Sequence, residues 1–213
     1  MDQDRARSLL IAERDEVQGL LKDAEKAGQQ DRQSEVDSEA EDNADAALAL
    51  TEEGQDDAIA DVRDHGGTIG YVRVAFTEED WAAIPAANLV FAQAAQNRLM
   101  HEEDPATAIH DSLAPQPGDI VVRKTRVGAM STTDLDRQLR DRGIDTLVLA
   151  GISTSGVVLA TLVEAADRDY RLYVLSDGTE DPGEQTRDVL LGKVFPRRAQ
   201  VIDTATLRAL LSP

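Results

Sequence analysis

The chain has 213 residues, 41 of them Asp or Glu and 22 Lys or Arg, for a formal net charge of −19. That balance argues against binding nucleic-acid phosphates, which takes a basic surface that releases counterions, and the absence of cysteine excludes disulfides, thiolate metal sites and a cysteine nucleophile. No apolar stretch approaches the ~20 residues of a membrane span and no basic-then-apolar leader is present, so a cytoplasmic protein with no membrane contact is expected.

The acid is concentrated at the front, where residues 1–66 hold 20 Asp/Glu against 7 Lys/Arg. Leu10, Val17 and Leu21, with Leu9 and Leu20 beside them, form one apolar helical stripe. The polar stretch GQQDRQSEVDSEAEDN (28–43) has nothing to bury. Ala44, Leu48, Thr51, Gln55, Ala58 and Val62 then recur at helical steps as a second, weaker stripe. Gly54 within it costs about 1 kcal/mol relative to Ala. Two narrow stripes joined by an acidic connection predict a helical hairpin over residues 1–64. Its charge keeps the chain soluble or meets a basic protein surface.

From residue 65 to 213 the pattern changes. GTIGYVRVAF (67–76) and GDIVVRKTRV (118–127) read as strands. TTDLDRQLRDRG follows as a helix that Thr132 or Thr133 can cap and Gly143 ends. TLVLAG, YRLYVLSDG (170–178) and Gln200–Ile202 supply three more strands. A helix is expected over 156–169, and a closing helix starts at Asp203 or Thr204. Strands alternating with helices predict an α/β fold, a Rossmann-like, mostly parallel sheet with helices on both faces.

Ligands of such sheets bind at the carboxyl ends of the strands. Lys124 ends one strand, and the turn Ile152–Ser155 joins another to a helix. The backbone N–H groups of Ser153, Thr154, Ser155, Gly156 and Val157 can there hold a carboxylate or an oxyanion. Asp177 ends the next strand or belongs to a turn before Gly178. His65, His101 and His110 read as surface residues. No metal and no cofactor is expected.

Two resemblances add to this reading. ERDEVQGLLKDAEK leading to EDNADAALALTEEGQDDAIADV resembles the coiled-coil half of TraR/DksA-type transcription regulators, and Asp42, Asp45 and Ala47 match that family's acidic tip motif. The resemblance implies RNA polymerase as a partner, yet the zinc-finger half that should follow is absent.

Residues 68–212 resemble the isochorismatase-like (cysteine hydrolase) family, most strongly over 108–178, where the spacing is intact. The resemblance implies an Asp–Lys–Cys triad acting on small carbonyl or amide substrates, and an oligomer. The family's lysine falls on Lys124, but its cysteine falls on Val157, which cannot attack. Its aspartate closes a first strand that this chain does not clearly contain. SLLIAERDE offers Glu13 in that place, although the helical stripe claims Leu9, Leu10 and Ile11 as well. The implied reading is a protein that binds a small carboxylate or carbonyl compound with catalysis impaired; a polymerase regulator and a chimera without function are the alternatives.

The resemblance places the missing strand between YVRVAF and LVLAG. Five or six unpaired backbone groups there would cost about 1–3 kcal/mol each, rivalling the ~5–15 kcal/mol stability of a domain. Residues 8–12, direct pairing of the two neighbours, or a partner chain must close the gap.

Overall fold

A computed structural model describes residues 54–212 of the chain. In chain order these form α1 (Gly54–Asp64), β1 (Gly70–Val74), α2 (Glu78–Ala82), α3 (Ala92–Asn97) and β2 (Ile120–Lys124). They continue as α4 (Leu135–Asp141), β3 (Thr146–Ile152), a π-helical turn (Thr154–Val158), α5 (Leu159–Ala166), β4 (Arg171–Glu180), α6 (Glu184–Val189), β5 (Gln200–Ile202) and α7 (Thr204–Leu211).

Every strand pairing among these residues is parallel, yet they form two sheets. β1 pairs with β2, from Gly70 opposite Ile120 to Val74 opposite Lys124. β3, β4 and β5 pair in that order, with Thr146 opposite Arg171 and Val174 opposite Val201. Among the described residues β1 and β3 do not pair with each other. Direct pairing of the neighbours, one of the three ways expected to close the gap, is thereby excluded.

Alternation along the strands decides which helices cover which face. Leu172 and Val174 of β4 join the main core with Ile120 and Val122 of β2, Leu135 and Leu139 of α4, and Leu162 and Ala165 of α5. Leu175, on the opposite face, clusters with Ala58 of α1 and Leu207 of α7, against which Val62 and Val148 also pack. The main core is therefore what holds the two sheets side by side, through α4 and α5. A satellite cluster of Phe76, Trp81, Phe91 and Met100 closes the outer side of β1.

α1, expected within the N-terminal hairpin, packs here as a layer of the α/β body. Its Asp61 pairs with Arg208 at 2.7 Å, and its Arg63 meets Asp119 at 2.5 Å and the Tyr71 hydroxyl at 3.2 Å. Several local expectations hold in detail. Asp203 caps α7 by accepting from Thr206 N at 2.7 Å. Gly143 ends α4 in the left-handed region at φ +68°. The expected cap of α4 shifts: Asp134, not Thr132 or Thr133, stands at its N-cap without a side-chain cap bond, and Thr133 Oγ1 accepts from Leu135 N at 3.1 Å from one residue earlier.

Two more differ. The helix expected over 156–169 is a π-helical turn followed by an eight-residue α-helix. β4 also runs on through Asp177 and Gly178 to Glu180. β3 bulges between Leu149 and Gly151, and this shift re-pairs Gly151 with Thr179. Gly178 fits this close passage because a Cβ there would stand 2.9 Å from the Leu175 Cβ.

Candidate functional site

The two sheets face each other across a cavity of about 670 Å³, room for about twenty water molecules at bulk density. Gly70–Val74 forms one wall over its whole length and Thr146–Ile152 the other. Lys124 and Val157, the positions the sequence singled out, both line it. The cavity lies between YVRVAF and LVLAG, the two strands between which the resemblance expects a further one.

Lys124 reaches the site because β2 ends there, and it is only 3% exposed. Its Nζ donates to the Arg126 carbonyl at 3.3 Å, so the ammonium is oriented by a backbone dipole beside the cavity. A buried cation in this setting attracts an anionic group more strongly than it would in water.

The turn after β3 is held from behind. Gly151 has φ +126°, a conformation L side chains rarely adopt, and the Ile152–Ser153 peptide is cis. Ser153 Oγ accepts from Gly156 N at 3.1 Å, and Ser153 O accepts from Val158 N at 3.2 Å. Thr154, fully buried, donates its hydroxyl to Glu180 O at 2.9 Å. Ser155 N donates to Asp181 Oδ2 at 2.6 Å, and Asp181 also accepts from Gly183 N at 3.2 Å. Of the five N–H groups expected to hold an oxygen, those of Ser155 and Gly156 are thus engaged within the protein. Val157 is the turn residue of that set that lines the cavity.

Asp181 was not singled out from sequence. It is 8% exposed and anchors a turn 26 positions earlier; only the strand pairing of β3 with β4 brings it there. Asp177, by contrast, binds Thr204 N at 3.1 Å and Thr204 Oγ1 at 2.7 Å, tying β4 to α7 rather than serving the cavity.

The histidines divide. His65 bonds Asp61 O, and His101 stacks obliquely on Trp81. His110 lines the cavity and caps a short 3-10 turn through Ser112 N. Glu13, Asp42 and Asp45 lie outside the described residues. Among the described residues no group of three or more His, Asp or Glu is placed to hold a metal ion, and no helix is long and apolar enough to cross a membrane.

A parallel-sheet α/β body, with a mostly apolar cavity between its two sheets that Lys124 and the strand-to-helix turn at Val157 both line, defines the class: a Rossmann-like α/β fold. The Isochorismatase domain family model matches residues 30–206, and the chain belongs to that family. The match crosses the boundary expected between residues 64 and 65.

An isochorismatase family protein of Bacillus subtilis, YwoC, is 33% identical over 139 residues, which are 65% of this chain and 71% of that one. The ureidoacrylate amidohydrolase RutB of Methylorubrum extorquens is 40% identical over 106 residues, 49% of this chain and 43% of its own length. The chain thus spans less than half of that amidohydrolase. Among solved structures, the N-carbamoylsarcosine amidase of Thermoplasma acidophilum superposes with a TM-score of 0.59 at 25% identity, over 70% of this chain and 80% of that one. A cysteine hydrolase of Pseudomonas syringae gives 0.65 at 22% identity, over 73% and 76%, and shares the fold.

Proposed function

We propose that this isochorismatase-family chain binds a small carboxylate carrying a carbonyl or carbamoyl group at the Lys124 end of the cavity, without the covalent step of a cysteine hydrolase. Lys124 neutralises the carboxylate, and the Val157 N–H points a donor at a ligand oxygen. The observation that carries this reading is the buried Lys124 sharing one cavity with Val157. Valine offers no lone pair to attack a carbonyl carbon, so the turn can hold an oxygen but not form an acyl intermediate. The names of two relatives, a ureidoacrylate amidohydrolase and an N-carbamoylsarcosine amidase, support ureido carboxylates as the ligand class.

Calorimetric titration of the full chain with N-carbamoylglycine tests this. Saturable binding is expected, weakened ~10–150-fold in Lys124→Met, the range of a charge-assisted hydrogen bond of about 1.5–3 kcal/mol. Ammonia release should stay at the buffer rate. Equal affinity of the two proteins, or steady ammonia release by the wild type, would defeat the proposal.

A further inference from the structure

The proposed ligand site puts Lys124 and Val157 together, yet they stand on different sheets. Lys124 closes β2, which pairs with β1, and Val157 follows β3, which pairs with β4. Among the described residues no strand pairing joins the two sheets. A direct contact between the two halves of the site is made instead by the loop that leaves Lys124, which seats on α5.

The seat has a polar and a steric part. The buried Ala129 N–H donates to Thr161 Oγ1 at 3.1 Å. Ala129 and Met130 are 2% and 4% exposed and belong to the main core with Val158 and Leu162. Three residues along α5 from Thr161, and so on the same helix face, Glu164 lays its carboxylate on Gly128. A Cβ at Gly128 would stand 2.7 Å from Glu164 Oε1, so only a residue without a side chain leaves the carboxylate its place. Glu164 Oε2 is buried and has no hydrogen-bond partner among the described residues. An oxygen left that way costs free energy, which makes the Thr161 bond the favourable polar link of this seat.

We infer that Thr161 is a positioning residue for the ligand site: its hydroxyl clamps the loop that carries the Arg126 carbonyl, and so holds the Lys124 ammonium against the Val157 turn. The inference rests on the proposal that Lys124 and Val157 form one site. The contacts make a short chain. Thr161 lies four residues beyond Val157, on the helix that the turn opens, and moves with the turn as one rigid piece. Its hydroxyl holds Ala129, three residues beyond Arg126, and Arg126 O accepts from Lys124 Nζ at 3.3 Å. Ala129 is fixed from its other side too, since Thr133 Oγ1 donates to Ala129 O at 2.5 Å. Removing the Thr161 hydroxyl leaves a buried N–H without a partner. The loop restores that bond only by shifting, and the Arg126 carbonyl shifts with it.

The test uses the full chain carrying Val157→Cys, whose thiol reports the field at the turn because the chain has no other cysteine. Thr161→Val keeps the shape of the side chain and removes the hydroxyl; Thr161→Ser keeps the hydroxyl. The pH midpoint of thiol alkylation should rise by about half a unit in Thr161→Val, a ~3-fold change in the ionisation equilibrium, and stay in place in Thr161→Ser. Gly128→Ala displaces the same loop from Glu164, should shift the midpoint in the same direction, and reads the contact if Thr161→Val does not fold. Leu207→Ala lowers stability from a cluster that contains no residue of the loop, and should leave the midpoint unmoved. With Val157 in place, affinity for N-carbamoylglycine should fall ~3–10-fold in Thr161→Val and be kept in Thr161→Ser. A midpoint unmoved in whichever of Thr161→Val and Gly128→Ala folds, a shift that Leu207→Ala reproduces, or a Val157→Cys midpoint indifferent to Lys124→Met would each overturn the inference. A native chain that does not bind N-carbamoylglycine while the thiol midpoint still follows Thr161 defeats the ligand proposal and upholds the positioning role.

Discussion

Replacing Val157 by cysteine restores a thiol to the turn and turns the electrostatics of the site into a titration. Val157 is half-buried and packs on the main core, so a change of this small volume costs less than about 1.5 kcal/mol and the fold is retained. An ordinary thiol ionises near 8.5, leaving only about 3% thiolate at pH 7. Here the new sulfur shares a cavity with the buried Lys124 ammonium, and a cation nearby favours the thiolate.

A fall to about 7 corresponds to ~2 kcal/mol of differential interaction and raises the thiolate fraction ~16-fold. The more acidic thiol is also a weaker nucleophile, by ~5-fold at a Brønsted slope of 0.45. The net gain in alkylation rate at pH 7 is therefore only ~3-fold, too small to interpret alone. The informative assay is the pH dependence of iodoacetamide alkylation from pH 5 to 10, in Val157→Cys and in Val157→Cys with Lys124→Met. The midpoint should lie at least one unit below 8.5 in the first and return towards 8.5 in the second. A midpoint at or above 8.5 in both would show that Lys124 exerts no field at the turn.

Truncating the fully buried Leu162 to Ala should cost about 2–5 kcal/mol by urea unfolding, because its place in the main core cannot collapse between α5 and the strands. Gly151→Ala has no clashing neighbour, so its cost is backbone strain at φ +126° alone; about 1–3 kcal/mol is expected, and an unchanged midpoint would show that the bulge relaxes. Asp80 ties the start of α2 to β2: it accepts from Thr77 N at 2.9 Å and from Arg123 Nη1 at 2.5 Å. Burial opposes its ionisation, but the Thr77 amide and the Arg123 guanidinium outweigh it and hold the carboxyl below 3.8. Asp80→Asn should therefore lose about 0.5–2 kcal/mol at pH 7. That deficit persists above the unfolded carboxyl pKa of about 4 and closes as pH falls through the lower folded value. A deficit that stays constant down to pH 2 would show that the charge contributes nothing.

What the sequence disclosed depends on how local the signal was. β-branched runs marked β1 to β5, and Asp203 and Gly143 marked helix ends, because a strand run or a cap is decided within a few residues. Lys124 and Val157 were legible as neighbours through the family spacing, and both line the cavity between β1 and β3. The rest was set by contacts distant in the chain. The extension of β4 past Gly178 depends on the bulge in β3. The hold of Asp181 on Ser155 and of Asp80 on Arg123 spans 26 and 43 positions, and no periodicity reports such pairs. The π-helical turn was also invisible, since Thr154–Val158 differs from an α-helical start only in how Ser153 O and Oγ are used.

Trp81 is the only tryptophan of the chain, and it sits wholly on the outer side of β1, its indole N–H bonded to Leu99 O at 3.1 Å and its ring 6.0 Å from the Arg98 guanidinium. Its fluorescence therefore watches the two-stranded sheet and its satellite cluster and is blind to β3, β4 and β5. Far-ultraviolet circular dichroism sees both halves at once. Unfolding curves from the two signals superimpose when the halves melt as one cooperative unit and part when they melt in turn. A single native fluorophore thus turns the division of the sheet into an optical readout of its cohesion.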